Sequence, residues 1–206
     1  MIRSRIHALA LTVPAGLVIA SLLTPAASAQ PPNNGPASLQ QQIRELPVAA
    51  ESHADSYDRD AFGDYNRAAI LNQNETRYPD CVGYYSRADD TCYTFAEYGH
   101  DGAAEQVQID ESVARKEAWI FGAWDWPAEK RDRFVADNRA NLVVMTGSLN
   151  QSKGADDVTG WLPPNEHTLC PYLQTTVDVK TDFDLTIDHD EQQTLLTLAA
   201  TCPISG

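Results

Sequence analysis

The four cysteines of this chain, Cys81, Cys92, Cys170 and Cys202, constrain its folding most, because metal binding, reduction and cross-linking each demand a different core. The first 29 residues decide between these fates. Arg3, Arg5 and His7 form a basic start, an apolar run extends from Ala8 to Leu23, and Ala27-Ser28-Ala29 supplies the small residues of a processing site. That succession is the pattern of a secretory signal peptide. Pro14 and Gly16 interrupt the run, which falls short of the ~20 apolar residues of a bilayer span. Cleavage near Ala29 and release as a secreted protein are expected. In an oxidising compartment an even number of cysteines reads as two disulfides, with three possible pairings. Cys81–Cys92 is favoured because it closes a short loop around GYYSRADDT, and Cys170–Cys202 because it ties two helices of the C-terminal third. Zinc held by cysteine is disfavoured, since the chain has no Cys-x-x-Cys and no His at ligand spacing.

Removal of the leader leaves about 177 of the 206 residues, enough for one domain with its own core. Two of the 15 Lys and Arg and none of the 29 Asp and Glu fall in the leader, so the mature chain carries a net charge of −16. Binding driven by phosphate neutralisation needs a basic stripe, so this balance disfavours nucleic acid as a partner without excluding a local phosphate site. No later segment is apolar enough to cross a bilayer, and a monomer without membrane attachment is expected after cleavage.

The expected organisation is a signal peptide over 1–29, a polar lead and short helix over 30–56, and one domain over 57–206. SLQQQIRELPV reads as a helix with Ser38 as N-cap, ended by Pro47. The last part of YDRDAFGDYNRAAILNQNETRY reads as helical, and CVGYYSRADDTCYTFAEY as a stapled hairpin. VQID and NLVVM are short strands, and ESVARKEAWIFGAW and PAEKRDRFVADN are helices between them. Gly147 with SLNQSKG reads as a turn. Helices led by CPY and by Asp188 close the chain. The fold class is α+β, a helix-rich single domain with short strands and two disulfides.

Several segments recur in a telling order: YDRDAFG, VQIDES, EAWIFGAW, then RFVADNRANLVVMTGSLNQSKG, WLPPN, CPY, VDVK and LTID. Together, from about Tyr57 to Cys202, they resemble the exported branch of the HNH-type endonucleases related to the C-terminal domain of GmrSD restriction enzymes. The resemblance implies short strands around an HNH-like (ββα-metal) core, hydrolysis of phosphodiesters, and one divalent metal ion, Mg, Mn or Zn. In such a site an Asp and a later His or Asn hold the metal, and a strand-end His takes a proton from the attacking water. Residue by residue, it implies metal ligation by Asp110 and Asn150, a positioning role for Asn141, and a phosphate-facing or structural cation at Lys153.

Glu111 stands where the family has its general-base His, and a carboxylate is a weaker base than imidazole and repels phosphate. Upstream, Arg67 is retained as a candidate phosphate clamp, but Ala68 replaces an expected Asn. Two departures imply hydrolysis weakened or lost, the alternative being a catalytically inactive extracellular binding protein. Taken without the resemblance, Asp110-Glu111 would read as an acidic pair at a helix start, and Asn141 and Asn150 as turn residues. His53, His167 and His189 read as solvated, and His100 is the candidate for a displaced base. Trp119, Trp124, Trp126 and Trp161 read as core rather than as a stacking platform.

Overall fold

The computed structural model describes residues 38–99, 106–136 and 141–203. The signal-peptide reading of 1–29, the polar lead before Ser38 and His100 lie outside the described residues. What is described falls within one compact unit of mixed helix and strand.

Helix α1 (Leu39–Glu45) starts where Ser38 Oγ accepts from the Gln41 N–H at 3.3 Å, and its Ile43 is fully buried. Helix α2 (Arg67–Arg77) is capped in the same way by Asn66, which accepts from Ala69 N–H at 3.0 Å. The chain then turns into an antiparallel hairpin, β1 (Gly83–Ser86) and β2 (Thr91–Thr94), stapled by Cys81–Cys92. Gly83 is required there: a Cβ at this position would lie 2.1 Å from the Tyr93 carbonyl oxygen across the pair. One helical turn, α3 (Phe95–Tyr98), follows.

Strand β3 (Val107–Glu111) pairs antiparallel with β4 (Leu142–Thr146), Asp110 opposite Val143 and Glu111 opposite Leu142. Between them come α4 (Arg115–Ile120) and α5 (Ala128–Ala136). The sequence reading began the first of these helices at Glu111. The strand claims that residue, because backbone pairing with β4 continues one step further, to Ser112 N–H on the Asn141 carbonyl at 2.8 Å. The acidic pair therefore sits on a strand and not at a helix start.

After β4 the segment read as a turn is a helix, α6 (Gly147–Lys153). Thr146 Oγ1 accepts from Leu149 N–H at 3.3 Å to open it, and Gly154, with φ of 56°, ends it in a conformation that side chains resist. Helices α7 (Glu166–Asp182) and α8 (His189–Ala199) complete the chain, capped by Asn165 and Asp188 and joined through Cys170–Cys202. Both disulfides have the pairing favoured from the sequence, so no cysteine is left for zinc.

The core divides by neighbourhood. Phe62, Trp119, Trp126, Phe134 and Leu185 form one cluster. Ile43, Leu173, Val177, Ile187 and Leu195 join α1 to the two C-terminal helices. Val107, Ile109, Leu142 and Val144 pack one face of the β3–β4 pair on the hairpin and α2, and Val143 and Met145 occupy the other face. Not every tryptophan is core: Trp124 is exposed and stacks on His53 at 3.8 Å between ring centroids. Among the described residues no helix is long and apolar enough to cross a membrane.

Candidate functional site

Alternation along β3 sends its two acids to different partners. Asp110 shares a face with Gln108, and both meet α6. Asp110 Oδ2 lies 3.2 Å from Lys153 Nζ, with side chains 8% and 0% exposed. Both charged atoms are shielded from solvent, so each depends on the other for compensation. Burial raises the Asp110 carboxyl above its usual range, and the Lys153 charge opposes that shift. Asn150 donates from Nδ2 to Gln108 Oε1 at 2.7 Å, which pins α6 against the strand.

Glu111 turns to α4. Its Oε1 accepts from Arg115 Nε at 3.0 Å, and the two side chains are 8% and 4% exposed. The Arg115 guanidinium also lies over the Tyr65 ring, 5.8 Å from its centroid, while the Tyr65 hydroxyl donates to the Ile109 carbonyl at 3.2 Å.

Asn141 is fully buried and braces the turn after β3: its Oδ1 accepts from Val113 N–H at 2.8 Å and its Nδ2 donates to the Val113 carbonyl at 3.1 Å. Arg67 donates from Nη2 to the Val107 carbonyl at 2.7 Å. The structure thus gathers Asp110, Asn150 and Lys153 at the β3–α6 contact. It sends Glu111 to Arg115, and it uses Asn141 and Arg67 on backbone groups.

A divalent cation at Asp110 and Asn150 fits this arrangement poorly. Lys153 Nζ stands where a carboxylate-bound cation would sit, and among the described residues no three His, Cys, Asp or Glu side chains are grouped to hold a metal.

Sequence reasoning missed Arg115, whose four-residue spacing from Glu111 was visible but belongs to helices, not to a strand–turn–helix junction. It also missed a second charged cluster. Lys180 Nζ, wholly buried on α7, contacts Glu117 Oε1 at 2.7 Å and Glu191 Oε2 at 2.9 Å. Burial pushes Glu191 up to about 8, against the pull of Lys180 and with help from Glu117. Burial alone would lower Lys180, but the two carboxylates outweigh it and hold the ammonium above its usual range.

No family model and no solved structure matches the chain. An uncharacterized secreted protein of the fungus Arthroderma benhamiae is 29% identical over 198 residues, covering 88% of this chain and 93% of the relative. Similarity over nearly the full length of both chains, together with the leader read at 1–29 and two formed disulfides, gives one conclusion about place: the protein is secreted.

Proposed function

We propose that this secreted protein is a binding protein built on an HNH-type nuclease frame whose phosphodiester-cutting centre has been turned into buried ion pairs. Support for the frame comes from an antiparallel pair, β3 and β4, running into α6, with Asp110 on the first strand and Asn150 and Lys153 on the helix. Hydrolysis on such a frame needs a base free to accept a proton from water and a carboxylate free to hold a cation. Here each acid already has a cation. The observation that carries the reading is the Glu111–Arg115 bond at 3.0 Å between side chains shielded from solvent. The guanidinium takes up Oε1, and burial leaves the carboxylate little contact with the water it would have to activate.

The test is purified mature protein incubated with plasmid DNA and with RNA in Mg²⁺, Mn²⁺ or Zn²⁺. Wild type is expected to leave both intact, and so is Glu111→His combined with Arg115→Met, because Lys153 keeps the cation's place beside Asp110. Metal-dependent nicking by wild type that Asp110→Asn abolishes would overturn the proposal. That outcome would mean that hydrolysis through Asp110 is retained.

A further inference from the structure

The chain carries two Asn-x-Ser/Thr triplets, Asn74-Glu75-Thr76 and Asn150-Gln151-Ser152. Such triplets are acceptors of N-linked glycans in secreted proteins. Both lie inside helices, Asn74 in α2 and Asn150 in α6. The fold uses the two amides differently. Asn150 gives its Nδ2 to another side chain, Gln108 Oε1, at 2.7 Å. Asn74 grips the backbone of one residue of β1: its Nδ2 donates to the Tyr85 carbonyl at 2.7 Å, and its Oδ1 accepts from the Tyr85 N–H at 2.8 Å. One helical turn on, the Tyr78 ring packs on that of Tyr85, with 4.3 Å between centroids. Helix α2 is thereby locked to the hairpin.

A side-chain amide has two Nδ2 protons, one cis and one trans to Oδ1. Because the Asn74 amide both donates to and accepts from Tyr85, the two bonds leave it along one edge, and the proton donated is the cis one. Glycosylation converts this primary amide into a secondary one. Nδ2 takes the first sugar carbon from an oligosaccharide carried on a lipid pyrophosphate, the bond from that carbon to the pyrophosphate oxygen breaks, and one Nδ2 proton leaves. Like a peptide bond, the resulting amide is planar and trans, which sets the new carbon cis to the oxygen. The sugar thus takes the place of the proton that the Tyr85 carbonyl receives. Its bulk on that edge also displaces the Tyr85 N–H from Oδ1.

We infer that Asn74 is a folding checkpoint: an acceptor for an N-linked glycan while the chain is unfolded, withdrawn once α2 locks on the hairpin. A glycan at Asn74 and the native hairpin therefore exclude each other. Thr76, the residue that completes the triplet, is exposed, and its hydroxyl donates to the Asn72 carbonyl within the helix at 2.9 Å, so the fold withdraws the whole triplet and not the amide alone. The checkpoint is independent of the Asp110–Glu111 centre and stands whether or not that centre turns over.

Secretion of the full chain, leader included, from a eukaryotic host that glycosylates its exports tests this, with site-resolved mass spectrometry of the secreted and the cell-retained protein. Asn74 is expected to carry glycan in the retained protein and at least about tenfold less of it in the secreted protein, a factor that loss of two ordinary hydrogen bonds supplies. Thr76→Ala abolishes the triplet, leaves Asn74 on Tyr85 and places a good helix former at an exposed helix position, so it should raise the secreted yield at an unchanged melting midpoint. Cys81→Ser with Cys92→Ser loosens the hairpin and should raise the glycan occupancy of Asn74. Secreted protein that bears the Asn74 glycan and melts like the unglycosylated protein would overturn the inference. It is equally overturned if Asn74 is unoccupied in both fractions and in the cysteine variant, or if Thr76→Ala leaves the secreted yield unchanged.

Discussion

Glu111 and Arg115 are two opposite charges that the fold shields from solvent. Two charges taken out of water recover their desolvation cost only through each other, so removing one partner strands the other. Arg115→Met is therefore expected to lower stability by about 3–5 kcal/mol. Adding Glu111→Gln to Arg115→Met removes the stranded charge and should restore most of the loss. Urea unfolding of the two single variants and the double variant checks this as a cycle. Additive losses would mean that the 3.0 Å contact carries no coupling and that Glu111 is free in solution. The identity of Glu111 was legible in the sequence, but its partner was not: a pair that spans the end of a strand and the start of a helix has no fixed spacing to read. The same holds for Lys153, whose carboxylate lies 43 positions earlier in the chain on another element.

Elements were more legible than their contacts where a capping side chain marks an end. Ser38 and Asp188 announce α1 and α8, and each accepts the backbone N–H three residues on. Helix α6 was read as a turn because Gly, Ser, Asn and Lys dominate it, and packing on β3 and β4 overrode that composition. The cluster joining α4, α7 and α8 yields a pH dependence whose sign can be worked out. Glu191 titrates at about 8 in the folded chain against an ordinary value of 4.5, so the folded state holds its proton more tightly than the unfolded state does. Its contribution to stability is complete below pH 4.5 and is lost as pH rises towards about 8. Lys180, raised above an ordinary value of 10.5, loses its contribution only at higher pH and leaves this window undisturbed. Glu191→Gln keeps an oxygen for the Lys180 ammonium and removes the surplus charge. Thermal melts from pH 5 to pH 8 are thus expected to fall more steeply for wild type than for Glu191→Gln, with the variant the more stable of the two at pH 8. Parallel curves would show that Glu191 does not titrate in this range. The difference between the two proteins isolates Glu191, because Asp110 on another element contributes equally to both.

Whole-chain stability rests on two staples that the sequence pointed to through its leader and its even cysteine count, and their unequal spans make their contributions predictable. Cross-linking restricts the unfolded chain more when the closed loop is longer. Cys81–Cys92 spans a separation of 11 residues and Cys170–Cys202 one of 32. On loop entropy the longer staple contributes roughly 1 kcal/mol more, within a usual range of about 2–4 kcal/mol for either. It also clasps α7 to α8 over the cluster of Leu173, Val177 and Leu195, whereas the shorter one closes a hairpin that Asn74 already anchors. Cys170→Ser with Cys202→Ser is thus expected to cost more in urea unfolding than Cys81→Ser with Cys92→Ser. Equal losses from the two pairs of substitutions would mean that neither loop length nor the clasp of α7 on α8 sets what each staple contributes.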